Sequence, residues 1–257
     1  MFDLDITSDL YTVVHIMPRW PVFKELTSDT PHLALARLPD CAQRLLAHAD
    51  FQGGLALTPG GALKRVHVDW AAKDFNWPGH TPHELYRYNK VLNEEDVFPL
   101  WVLHRHLLHT RHARHHGKMF RTTNTGRSLI GAPHRAFNEI VPRFLFEVDH
   151  GAMSRGGLAI VGHLIDYLDA LNLVAGDWIG IDALTERILG PASKQVWDRR
   201  PLSLYVGVIR PLIWCGLLLE VDADADAFET NVMKSPLWHH AFALPSDDVL
   251  GLQRGLK

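Results

Sequence analysis

Apolar residues recur at helical spacing through most of this chain and alternate only in short stretches, which predicts many short helices and a few small strands. Leu33, Leu35, Leu38, Leu45 and Leu46 mark a helix opened by Asp29-Thr30-Pro31, a capping residue followed by proline in the first turn. Pro39 predicts a bend in it, and Gln52-Gly53-Gly54 closes it. Leu55 to Thr58 reads as a strand, Pro59-Gly60-Gly61 as a turn and Leu63 to Phe75 as a helix. A second Thr-Pro start, Thr81-Pro82, predicts a helix over His83 to Leu92. The acids of Asn93-Glu94-Glu95-Asp96 suit the start of the next helix, Pro99 to His109, which has Leu100, Leu103, Leu107 and Leu108 on one face. Gly117 sits where a tight hairpin turn needs it, a short helix begins at Thr122-Thr123, and 134–148 reads as a helix broken near Pro142.

The C-terminal third repeats that order. Leu158, Val161, Leu164, Ile165, Leu168 and Leu171 form a helical stripe, and Ile181 to Leu189 is a shorter helix stopped by Gly190-Pro191. Pro201 opens a third helix through Leu204, Tyr205, Val208, Ile209, Leu212 and Ile213, with a bend predicted at Pro211. Leu217 to Val221 and Phe228 to Thr230 then read as a hairpin around Asp222 to Ala227, and Ser235 to Phe242 as a closing helix. The fold class this implies is mainly α with small β-hairpins (α+β). The expected organisation is an N-terminal helix-hairpin unit over 1–78, further units over 79–150 and 151–245, and a tail over 246–257. Leu57-Thr58-Pro59-Gly60-Gly61 and Thr123-Asn124-Thr125-Gly126-Arg127 both place glycine three residues after threonine; Thr230 has Met233 there.

The order helix, helix, helix, hairpin over 83–130 and again over 155–242 resembles the winged helix-turn-helix domain, so that the chain reads as tandem winged-helix-like units. The resemblance implies that 97–109 and 202–215 are third, or recognition, helices, and that 111–122 and 217–230 are wings. A second resemblance is more literal. Phe75-Asn76-Trp77-Pro78-Gly79 with Glu84-Leu85, then Asn89 to Val97, together with Leu57-Thr58, Gly61, Leu63 and Arg65, is similar to a recurring segment of uncharacterised bacterial proteins, some of them plasmid-associated. It implies no activity.

With 257 residues, 47% apolar and 21% charged, the chain is ordinary globular material. Its net charge of −3 gives no global attraction to nucleic acid or acidic membranes, but the charge is uneven. Residues 1–100 hold 9 Lys/Arg against 13 Asp/Glu, 101–135 hold 7 against none, and 136–257 hold 10 against 16. The acidic start Met1 to Asp5 lacks the order of a signal peptide, and the apolar run Pro211 to Leu219 is too short for a bilayer. With two distant cysteines, Cys41 and Cys215, no disulfide framework or zinc knuckle is expected, and Cys215 reads as a buried small apolar residue. The expectation is a cytoplasmic protein without membrane contact.

The basic island carries the candidate chemistry. Arg105, Arg111, Arg114, Lys118, Arg121 and Arg127 would supply phosphate contacts to nucleic acid or another anion. His104, His106, His109, His112, His115 and His116 crowd the same stretch; His112 and His116 have a helical i, i+4 spacing suited to zinc, which a hairpin would break. If exposed, these histidines would strengthen anion binding as pH falls. Asp222-Ala223-Asp224-Ala225-Asp226 begins like a calcium loop but lacks the sixth-position glycine and has Met233 at the twelfth position, so an acidic wing tip is the better reading. No phosphate-binding loop, dinucleotide glycine pattern, His-Glu-x-x-His or nucleophile elbow is present, and no catalytic residue, metal or cofactor is assigned. A site assembled from distant residues, gathering His163 or Asp166, is the enzyme alternative. Trp77, Trp101, Trp178, Trp197, Trp214 and Trp238 sit beside apolar residues and read as core, whereas Trp20 and Trp70 have no clear place. The leading expectation is a non-enzymatic binding protein that contacts another protein or its own copy; the alternative partner is double-stranded DNA, held by 105–127.

Overall fold

Proline placement explains where the helices start. The computed structural model describes residues 22–152, 162–191, 198–224 and 227–251. The first α-helix, α1, runs Arg37–Phe51. Pro39 falls in its first turn, whose amides have no intrahelical acceptor, so the helix begins there and does not bend. Its start lies after Asp29-Thr30-Pro31, because His32 takes a left-handed conformation (φ 65°) and only a 3₁₀ turn follows, Leu33–Leu35. Cys41, Ala42, Leu45, Leu46 and Ala49 form the buried face of α1.

By internal contacts the chain divides into two units, residues 37–140 and residues 1–36 with 141–257. In the 37–140 unit, α1 leads to strand β1 (Leu55–Ala56), then α2 (Arg65–Phe75) and α3 (Pro82–Tyr88). Helix α3 has a full capping box, with Thr81 and Glu84 each satisfying the other's backbone amide. It ends four residues before the expected Leu92, where Asn89 turns extended. A 3₁₀ turn over Glu94–Asp96 feeds α4 (Phe98–His109). Strands β2 (Ala113–His116) and β3 (Met119–Thr122) make the hairpin around Gly117 (φ 60°). The sheet order is β1-β3-β2, antiparallel, with Leu55 opposite Phe120 and Arg114 opposite Arg121. Strand β1 of the 1–78 stretch thus shares one sheet with the 79–150 stretch. The short helix α5 (Asn124–Arg127) follows, capped by Thr123.

Helix α6 (Pro133–Glu147) corrects the break expected at Pro142: the helix continues through it. Ala136, Phe137 and Ile140 before the proline, and Phe144 and Leu145 after it, are all buried, and that burial outweighs the one lost backbone donor.

The second unit has its own core and a matching order. Helix α7 (Leu164–Val174), strand β4 (Ile179–Gly180) and α8 (Ile181–Leu189) precede a continuous helical run. That run is α9 (Arg200–Leu204), a π-helical turn (Tyr205–Ile209) and α10 (Arg210–Trp214). Pro211 is absorbed at the start of α10, directly after the π turn. Strands β5 (Leu218–Asp224) and β6 (Ala227–Lys234) form a longer hairpin than expected, and the sheet order is β4-β6-β5. Helices α11 (Trp238–Ala241) and α12 (Asp247–Leu250) follow. Buried Asn172 on α7 ties these last elements: its Nδ2 donates to Ser246 Oγ (2.9 Å) and Asp247 Oδ1 (2.8 Å), and its Oδ1 accepts from Trp238 Nε1 (3.0 Å). Trp77, Trp214 and Trp238 are buried, Trp101 is half-buried, and Trp178 is exposed (48%), so it is not a core residue.

The architecture is therefore α+β, helices with two small antiparallel sheets. Trp20, Leu158, Val161, Trp197, Asp226 and the tail 252–257 lie outside the described residues. Among the described residues no helix is long and apolar enough to cross a membrane.

Candidate anion-binding cleft on the hairpin

Strand alternation divides the β2–β3 hairpin into two faces. Ala113, Thr122 and Phe120 are buried on one, and Thr122 Oγ1 donates to the Leu46 carbonyl of α1 (2.8 Å). Arg114 and Arg121 project from the other and are exposed. They stand directly opposite each other across the ladder, where like charges cost about 0.2–1 kcal/mol. Neither guanidinium has an ion pair or a side-chain hydrogen bond among the described residues.

The chain brings a third arginine to the same place. Thr123 Oγ1 accepts from the Gly126 amide (3.1 Å) and donates to the Arg111 carbonyl (2.9 Å), which turns the chain into α5. Gly126 is required there, since a Cβ would run into the His112 carbonyl at the base of the hairpin. Arg127, at the end of α5, donates from Nε to Asp50 Oδ1 (2.6 Å) and from Nη1 to Asn124 Oδ1 (2.8 Å). Arg114, Arg121 and Arg127, with Thr123, Thr125 and Asp50, line a cleft of about 470 Å³.

The other three expected cations lie elsewhere. The Arg105 guanidinium sits 3.9 Å from the Trp101 ring centroid and 3.6 Å from Glu94 Oε1. Arg111 (φ 61°) is exposed just after α4, and Lys118 is exposed in the hairpin turn. The histidines divide as well: His104, His106 and His112 are buried, while His109, His115 and His116 are exposed. His112 and His116 do not share a helical face, because both fall at the hairpin. His163 and Asp166 are both exposed at the start of α7.

A second constellation escaped the sequence reading. Glu94, only 2% exposed, accepts from His104 Nδ1 through Oε1 (2.7 Å) and from the Leu63 amide through Oε2. His104 Nε2 meets His115 Nε2 at 2.9 Å. The two ring centroids are 5.1 Å apart, close to that separation plus the two ring radii, so the rings meet head-on, as a shared hydrogen bond requires. With the carboxylate ionised, His104 carries its proton on Nδ1 and offers a lone pair at Nε2, so His115 donates from Nε2. Partial burial, and then His104, push the His115 pKa down, with Glu94 opposing them. Glu94 read as one acid in a helix-start run, and nothing in its spacing to His104 and His115 marks a chain that folding closes.

Residues 34–135, which contain all of these groups, match the family described as the Y4jL N-terminal domain. Over 130 residues, 51% of this chain, the sequence is 37% identical to the uncharacterized protein y4jL of Sinorhizobium fredii (strain NBRC 101917 / NGR234). The match spans 59% of that protein's length. No solved structure matches the chain.

Proposed function

We propose that this chain is a non-enzymatic binding protein, and that its 37–140 unit engages the phosphate backbone of duplex DNA through the outer face of the hairpin. The observation that carries the reading is the pair Arg114 and Arg121, cross-strand neighbours without a counter-charge, beside Arg127 in one cleft. An anion lodged among them would turn a repulsive arrangement into an attractive one.

The winged-helix-like reading finds support in both units. Each has the order helix, strand, helices, hairpin, and in each sheet the first strand pairs with the last, β1-β3-β2 and β4-β6-β5. Its base-reading mode does not. A recognition helix needs a free polar face to enter the major groove, yet in α4 only His109 is exposed, with Phe98, Trp101, Arg105 and Leu108 half-buried. Contact through the hairpin positions a protein on DNA without selecting sequence. The second unit's hairpin, with Asp222, Asp224 and Asp226 in its sequence, would repel the same ligand.

The test is binding to random-sequence duplex DNA from 50 to 200 mM salt. About three phosphate contacts predict roughly a 40-fold loss of affinity over that range. An Arg114→Gln, Arg121→Gln variant should show a clearly shallower slope. No binding at 50 mM salt would end the reading. A protein contact, the leading expectation from sequence, rests on a different surface of the same unit, where Tyr86, Tyr88 and Val91 are 43%, 80% and 48% exposed within six residues.

A further inference from the structure

The charge in the cleft exceeds what a backbone diester offers. Arg114, Arg121 and Arg127 face one volume of about 470 Å³, and Asp50 is the one acid in its lining. Asp50 already answers Arg127 at 2.6 Å. Two guanidiniums remain, those of Arg114 and Arg121, without an ion pair among the described residues. Their excess of two positive charges matches a phosphomonoester, which carries about −1.5 to −2 at pH 7, whereas each backbone diester carries one negative charge. The shape agrees with the charge. A duplex passes its phosphates along a convex surface in a continuous row, while a concavity that gathers three guanidiniums concentrates them on a single group. Planar guanidiniums can also grip a terminal phosphate two oxygens at a time.

We propose that this cleft is a phosphomonoester site, taking the 5′-phosphate at a nucleic-acid end or the phosphate of a free nucleoside monophosphate. The inference rests on the anion-binding reading above and adds the ligand's chemical class. Asp50 acts as a charge trim: it holds Arg127 in place and brings the net charge of the cleft from three to two.

The experiment compares two internally labelled duplexes of one sequence, with 5′-phosphate and with 5′-hydroxyl ends, binding to the full chain, and adds AMP as a competitor. The phosphorylated ends should bind about tenfold more tightly, and Arg114→Gln with Arg121→Gln should remove that preference. Asp50→Asn should move it the other way, to a larger preference, a gain that a merely damaged fold could not produce. Displacement by AMP at its own measured affinity would assign the free nucleotide as a source of the group; preference without displacement would assign the strand end. Equal binding of both duplexes without AMP binding overturns the phosphomonoester site and leaves the backbone reading standing. AMP binding without duplex binding does the reverse, and binding of neither overturns both.

Discussion

Proton positions along Glu94, His104 and His115 are set by one carboxylate. Because Glu94 can only accept, it dictates the direction of both hydrogen bonds that follow it. Glu94→Gln gives that residue a donor as well as an acceptor. Its amide oxygen can still take the Leu63 N–H, and its NH₂ can donate to His104 if both imidazoles switch tautomer. The expected outcome is a tautomer reversal with modest loss of stability, read by ¹⁵N chemical shifts of the two rings: the His104 proton moves from Nδ1 to Nε2. Glu94→Leu allows no such rearrangement, leaving the Leu63 amide and His104 Nδ1 without their acceptor. It should cost about 3 kcal/mol in urea unfolding, from two buried donors at about 1–3 kcal/mol each. Unchanged ring shifts in the Gln variant would show that the carboxylate does not set the direction.

Among the elements, the two Thr-x-x-Gly matches prove to have different causes. Thr58 Oγ1 accepts from the Ala62 amide (3.2 Å) and Gly61 takes φ 84°, so that glycine serves a turn. Gly126 has no such φ; it is glycine because the hairpin base comes too close for a side chain. Gly126→Ala should therefore cost about 1–3 kcal/mol by overpacking, and should loosen the placement of Arg127. Thermal unfolding beside Gly117→Ala, which meets no neighbour but is strained by its φ of 60°, separates crowding from backbone strain. Local cues made the helix starts at Thr81-Pro82 and Pro201, the Gly117 hairpin and the Ile181–Leu189 helix legible in sequence. What was not legible depends on distant residues. Pro142 is carried by packing on both its sides, and Arg105 is drawn to a glutamate and a tryptophan while Arg127 is drawn to Asp50. Segment charge identified the basic island; only strand register and the α5 turn select three of its six candidate cations for one cleft.

For the whole molecule, the two cysteines serve as one reporter per unit. Cys41 lies in the 37–140 unit, and burial pushes its thiol up to about 12; Cys215 lies in the other, and burial raises it well above the usual thiol range. Thiolate is the reactive form, so neither should react with Ellman's reagent in the native protein at pH 8, and both should react in guanidinium chloride. Labelling at intermediate denaturant, read residue by residue by mass spectrometry, then follows the opening of each unit separately. Rapid native labelling of either would contradict the burial of its helix.

The π-helical turn at Tyr205–Ile209 leaves a trace that an aligner of related chains would meet as a gap. A π turn holds one residue more than an α turn at the same place. Loss of any one residue there restores an unbroken α-helix yet screws everything beyond it by about 100°. Leu212 and Trp214, now inward, would swing toward solvent. In this stretch substitutions are graded, and a change of length by one acts as a change of face.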